Sequence, residues 1–349
     1  MNLNPLDSPI ETLMGDPEVT EIMVNDFEHI FYEKGGRIKL SSLKFHDKNS
    51  YLSFIKELIH KNGHSEKDSY YFDGALSGKF RFNIVMPPMN PIGPVLTIRK
   101  FAVNMFDLST MVSLGTITDK VALFLSYIVK AKMNVIVSGG TGSGKTTFLQ
   151  ALSSEIPGHE RIVTVEDVPE LKLHQKNWVQ LNSVHEEKRS VTIKDCLINS
   201  LRMRPDRILV GECRRDETFE MLQAMNTGHE GSMTTIHANN PVDCLTRMEN
   251  LLYASGFEIE NIYLRKQIAE SIDFIIQLGR LPSGKRVVTS ILELTGTEGD
   301  VITRNDIFQR EKSLQLLPTG IVPKNAQHIE SRLGQKFPPG FFMRPTQKL

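Results

Sequence analysis

The sequence predicts an α/β chain in two parts: a small α+β domain, then a larger domain built on a mainly parallel sheet. Three observations carry this expectation. The 349 residues are enough for two ordinary domains, each with its own core. Up to about residue 105, short β-rich runs alternate with turn signals. From Thr118 onward, β-rich runs are instead separated by helix-length segments, the pattern of strands and crossover helices.

In the first part, Glu21–Val24 and His29–Tyr32 are β-rich and are punctuated by Asn25-Asp26 and Gly35-Gly36, as in a small sheet edge or hairpin. Leu52, Ile55 and Ile59 fall at helical spacing. Lys79–Met86 and Val95–Arg99 are further strands, parted by a Pro87–Pro94 stretch that neither a helix nor a central strand accepts. The expected organisation is an N-terminal domain over residues 1–105, a linker over 106–115 and a second domain over 116–349. In that second domain Thr118 caps a helix that places Val121, Phe124, Leu125 and Ile128 on one face. Four short strands follow: Val135–Val137, Ile162–Val165, Ile208–Val210 and Met233–Ile236. Phe274–Leu278 and Arg286–Leu294 flank Pro282-Ser283-Gly284 and read as a hairpin on the sheet edge. The Pro- and Gly-rich tail from Leu317 gives no pattern.

Composition excludes several classes. Lys plus Arg (41) equals Asp plus Glu (41), so no global charge draws the chain to nucleic acid or an anionic membrane. The longest apolar run, Val121–Val129, is broken by Ser126 and falls short of the ~20 residues that span a bilayer. Met1–Asp7 lacks the basic-then-apolar order of a secretory signal. Cys196, Cys213 and Cys244 show no metal-ligand spacing and read as small buried hydrophobes in a reducing compartment. A cytoplasmic location is expected.

Chemistry enters with Gly139-Gly140-Thr141-Gly142-Ser143-Gly144-Lys145-Thr146, which fits G-x-x-x-x-G-K-[ST] between a strand and a helical stretch. Its glycines let consecutive backbone N–H groups converge on phosphates, and the helix that follows adds its positive end. Gly140, Thr141, Gly142, Ser143, Gly144, Lys145, Thr146 and Thr147 are therefore the expected ATP-binding residues. Lys145 reaches the β- and γ-phosphates, and the Thr146 hydroxyl ligates Mg²⁺. The strands that follow deliver Glu166 and Asp167, Glu212, and His237 at their carboxyl ends, where ligands of an open parallel sheet bind. Glu212 is the expected water-activating base, and Glu166 and Asp167 the metal shell. His237, and secondarily His229, are candidate sensors of the γ-phosphate.

Four segments together resemble one family. The phosphate loop, Thr164–Leu171, Arg202–Glu212 and Asn226–Asn239 are similar to the Walker A, Asp box, Walker B and His box of the type II/type IV secretion ATPases. Thr20–Asn25, Thr97–Phe101 and Thr319–Pro323 extend the resemblance to the Tad/Flp pilus-assembly (CpaF-like) branch. The resemblance implies a RecA-like ATPase domain paired with the N-terminal domain. It also implies a homohexameric ring on the cytoplasmic face of the inner membrane, working with membrane platform proteins. It implies a catalytic role for Glu212, and it places Arg81 and Arg99 where N-terminal arginines reach the nucleotide. Ala75 stands where relatives often carry a further arginine.

The leading expectation is an ATP-hydrolysing motor for pilus assembly or secretion, with no nucleic-acid partner. The alternative is a RecA-like nucleic-acid translocase, since a fold does not dictate function. Arg202, Arg204, Arg207, Arg214 and Arg215 form the one basic cluster that suits it, and they read more naturally as intersubunit or phosphate contacts. A scaffold that binds nucleotide without hydrolysing it is disfavoured by Glu212.

Overall fold

The computed structural model describes residues 8–76, 79–100, 106–186, 189–256, 260–311 and 315–344. Contacts divide the chain into two units, residues 1–104 with 282–285, and residues 105–281 with 286–349. The boundary expected at residue 105, and Phe101 of the upstream resemblance, lie outside the described residues.

The first unit carries α1 (Glu11–Gly15), β1 (Val19–Val24), β2 (Ile30–Lys34), β3 (Arg37–Leu40), α2 (Lys48–Lys61), β4 (Tyr71–Leu76), β5 (Phe80–Val85) and β6 (Val95–Lys100). Its six strands form one antiparallel sheet in the order β3-β2-β1-β6-β5-β4. Alternation decides which face is covered. Phe80, Phe82 and Ile84 of β5 and Leu96 and Ile98 of β6 are buried with Tyr51, Ile55, Leu58 and Ile59 of α2. The side chains between them, Arg81 and Arg99 included, stand on the opposite face.

The second unit opens with α3 (Leu108–Ser113), in the stretch expected as a linker. Asp107 caps it by accepting from the Thr110 amide at 2.7 Å, and Leu108 and Met111 enter the core, so local capping and apolar spacing make a helix there. Then come α4 (Asp119–Lys130), β7 (Val135–Gly139), α5 (Lys145–Ser153), β8 (Ile162–Glu166), β9 (Trp178–Asn182), β10 (Val184–Glu186), β11 (Arg189–Val191), α6 (Ile193–Ser200) and β12 (Arg207–Val210). The chain continues through α7 (Glu217–Asn226), β13 (Met233–His237), α8 (Pro241–Ala254), α9 (Asn261–Ser271), β14 (Phe274–Arg280), β15 (Arg286–Glu298), β16 (Val301–Arg310), β17 (Leu316–Pro318) and α10 (Ala326–Leu333).

Nine strands lie in the order β17-β16-β15-β14-β7-β13-β12-β8-β9, parallel from β14 to β9 and antiparallel beyond β14. One apolar layer packs α4, α5 and the C-terminal segment on one face; a second packs α6 to α9 on the other. In one respect the hairpin expectation needs correction. β14 is not at the edge but pairs directly with β7 along Phe274–Leu278, because its Phe-Ile-Ile run is apolar enough to be buried on both faces. The tail adds α10 and an aromatic cluster in which Phe337, Phe341 and Phe342 meet Phe124 and Phe308.

At the amino ends of the parallel strands the fold is tied by a buried charge. Arg207 is fully buried and donates to Glu160 from Nε at 2.6 Å and to the Val129 carbonyl at 2.8 Å. An added Cβ at Gly231 would meet its Nη1 at 2.1 Å, so only glycine leaves room for the guanidinium. Removing one partner strands the other charge in the core. Arg207→Ala is therefore expected to destabilise the second unit by ~3–5 kcal/mol, read as a fall in its thermal unfolding midpoint; an unchanged midpoint would show that the pair contributes nothing net.

Candidate active site

Because β14, β7, β13, β12 and β8 are parallel, their carboxyl ends share one edge. β7 runs straight into the phosphate loop and α5. Gly142 and Gly144 take φ values of +68° and +90°, which residues with a Cβ rarely adopt. At Gly139 a Cβ would stand 2.4 Å from the Ser143 hydroxyl, so the first glycine is needed as well. Lys145 folds over the loop and donates to the Gly140 carbonyl at 3.2 Å. Thr146 and Thr147 sit in the first turn of α5, half-buried.

β13 carries His237 to the same edge, where Nε2 lies 3.2 Å from the Thr141 hydroxyl. Burial first, and then the Lys145 charge, lower the His237 pKa, so the imidazole is neutral near pH 7 and holds a ring nitrogen available as an acceptor. β12 leads to Gly211 and Glu212. Glu212 Oε2 accepts from Arg214 Nη2 at 2.7 Å. The Arg214 pKa is raised by Glu212 above all, with the charges of Asp167 and Glu170 adding to it.

Two expectations change here. Glu166, at the end of β8, is only 2% exposed. Its Oε1 accepts from the Glu170 and Leu171 amides at 3.0 and 2.9 Å, and its Oε2 from Gln180 at 3.1 Å. Burial raises its pKa while those donors pull it down. Glu166 is thus committed to holding the 167–171 turn, whereas Asp167 is half-buried and accepts from Ser183 Oγ at 2.5 Å. His229 precedes β13 rather than following it. The five residues of that strand set it roughly 17 Å from the His237 end, on the edge occupied by Arg207.

Arg81 and Arg99 lie in the first unit, directly opposite one another on β5 and β6, with Ala75 opposite Arg81 and Glu21 opposite Arg99. Arg99 donates to Glu21 Oε1 from Nε at 2.6 Å, and Arg81 Nη2 lies 3.8 Å from Asp73 Oδ1. Ala75 leaves this row with two arginines where three were conceivable. The three cysteines are buried and unpaired by disulfide, with the Cys213 and Cys244 thiols pushed up to about 12 by burial.

Sequence reasoning missed two arginines. Arg286 Nε donates to the Gly142 carbonyl at 2.8 Å, and Arg280 Nη1 lies 3.8 Å from where a Gly142 Cβ would stand. Their symmetric placement about Pro282-Ser283-Gly284 was visible, but its meaning depended on β14 lying beside β7.

Polyphosphate fits this edge. The glycine cradle is open where backbone must approach, and the ammonium is already bent over it. Among the described residues no cluster of three or more His, Cys, Asp or Glu could hold a metal by itself. Mg²⁺ is ordinarily held by one or two protein oxygens together with phosphates and water, and Thr146 with Asp167 could supply such oxygens. Hydrolysis of a nucleoside triphosphate is the reaction such an edge is equipped for, and the chain is a P-loop ATPase.

It belongs to the type II/IV secretion system protein family, whose profile matches residues 75–313. A Mycobacterium tuberculosis (strain H37Rv) protein with a conjugal-transfer name is 32% identical over 302 residues, 84% of this chain and 85% of that one. The type IV secretion system protein VirB11 of Bartonella henselae is 31% identical over 324 residues, 81% of this chain and 90% of its own. The X-ray structure of the Legionella pneumophila ATPase DotB shares the fold, with a TM-score of 0.58 at 23% identity over 82% of this chain and 79% of that one.

Proposed function

We propose that the chain is the ATP-driven, homohexameric motor of a pilus or secretion apparatus, in the Tad/Flp pilus-assembly (CpaF-like) branch of its family. The observation that carries the reading is the convergence of Lys145, Glu212 and His237 on one sheet edge from three neighbouring parallel strands. Work at the cytoplasmic face of the inner membrane, through platform proteins, completes the proposal. No helix among the described residues is long and apolar enough to cross a membrane.

The nucleic-acid reading loses its main support. The basic cluster is divided, with Arg207 buried against Glu160 and Arg214 held by Glu212 at the opposite edge.

In the proposed reaction Lys145 and the loop amides hold the β- and γ-phosphates. Glu212 accepts a proton from the attacking water, and the β–γ phosphoanhydride bond breaks to leave ADP and inorganic phosphate. Neutral His237, beside Thr141, reads the γ-phosphate. Mg²⁺, held through Thr146 and Asp167, would offset charge on the phosphates. Arg81 and Arg99 are proposed to supply further positive charge in the transition state, which requires them to leave Asp73 and Glu21.

The test has four readouts: oligomer mass, ATP turnover, nucleotide affinity, and surface filaments in a strain lacking the chain. Arg99→Ala and Arg81→Ala are each expected to cut turnover by ~10³-fold or more while leaving nucleotide affinity within a few-fold. Full turnover in both variants would remove these arginines from the mechanism. A monomeric, fully active wild type would refute the ring.

A further inference from the structure

We propose that Arg280 and Arg286 form a second cationic element of the nucleotide site, with Arg286 positioning the phosphate loop and both guanidiniums attracting the polyphosphate. The inference rests on the ATPase reading and adds to it two residues from a part of the chain that none of the four motifs includes.

The argument begins with the loop itself. Gly142 and Gly144 adopt left-handed backbone that their own side chains cannot anchor, having none. Something else must fix that conformation. Arg286 is placed to do so, since Nε donates to the Gly142 carbonyl at 2.8 Å. Its Cδ runs past Gly144, 3.2 Å from where a Cβ would stand. One side chain thus braces both glycines, immediately before Lys145 and the start of α5. The guanidinium carries five donors in a rigid fork, and the Gly142 carbonyl takes one of them.

Charge gives the second strand of the argument. Arg280 and Arg286 face each other directly across β14 and β15. The pair stands at the carboxyl end of the strand beside β7, alongside a loop shaped for phosphate. Lys145 is a third cation on the same loop. Two further arginines give the site a concentration of positive charge that an ordinary surface hairpin has no need of.

The test uses the full-length protein and a fluorescent ADP, displaced either by ATP or by inorganic tripolyphosphate. Arg286→Ala is expected to weaken both competitors about 10- to 100-fold, the loss of one charge-assisted contact, and to raise the KM for ATP more than it lowers kcat. Arg286→Lys should recover part of the loss by restoring the charge. Arg280→Ala should show a smaller loss for both competitors. Unchanged affinities in Arg286→Ala and Arg280→Ala would overturn the proposal. So would a lowered melting temperature with unchanged KM, which marks a merely structural brace, or a loss confined to ATP, which would place the contact on ribose or base. Should Arg286→Ala fail to fold, Arg280→Ala and Arg286→Lys carry the same comparison. A wild type that bound no nucleotide would refute the ATPase reading itself, and the wild-type arm tells the two failures apart.

Discussion

Replacing Lys145 with alanine is expected to reduce ATP turnover at least ~10³-fold, the scale on which removal of preorganised transition-state charge is felt. The ammonium is bent over the loop and donates to the Gly140 carbonyl at 3.2 Å, so it is poised before any phosphate arrives. The γ-phosphoryl group carries more negative charge as its bond to ADP breaks, and the loop amides alone are partial charges. Arg286 braces Gly142 and Gly144 and Arg280 lies beside Gly142, whereas the Lys145 ammonium is bent over Gly140, so neither arginine stands where Lys145 does. A coupled assay of phosphate release, run alongside fluorescent-nucleotide binding, measures the effect. Wild-type turnover in this variant would show that phosphate is not held where the loop holds it.

Glu212→Gln should separate binding from chemistry. The amide keeps the shape of the side chain but cannot accept the proton of the attacking water. A fall in kcat of ~10²–10⁴-fold is expected, the usual contribution of a positioned general base. Nucleotide affinity should stay within a few-fold of wild type, because Glu212 sits at the end of β12, two strands from the phosphate loop with β13 between. The bond from Arg214 makes a control available: Arg214→Ala removes the contact to Glu212 without removing the carboxylate. If Glu212→Gln lost affinity and kept its rate, Glu212 would be a binding residue, and Asp167 would become the better candidate for the base.

The active-site edge was legible wherever chemistry is local in the chain. The phosphate loop is one contiguous segment, and Glu212 and His237 each follow a short β-rich run, so periodicity alone put them at strand ends. What was not legible depends on strand order and on partners far away in sequence. His229 and His237 look like a matched pair in sequence. The strand between them, Met233–His237, separates them to opposite edges. Glu166 and Asp167 are adjacent acids, yet only the folded turn shows that Glu166 is consumed by the Glu170 and Leu171 amides. The tail from Leu317 gave no signal because its phenylalanines find their partners in Phe124 and Phe308, distant in the chain. The hairpin strand Phe274–Arg280 was recognised as a strand, but its apolar run could not say which neighbour it would choose.

That choice has a consequence for how the protein is born. The phosphate-loop strand is hydrogen-bonded on one side by Met233–His237 and on the other by Phe274–Leu278, which leaves the ribosome about 140 residues after Val135. Until then one whole row of its amides and carbonyls has no native partner, and a nascent chain carries an open sheet edge of the kind that recruits other chains. Pairing across such a separation is slow, since the loop must close before contacts compensate for it. A chain that stops short of Phe274 holds its complete phosphate-loop sequence and the parallel strands from β7 to β9, but lacks the strand that pairs with the other side of β7.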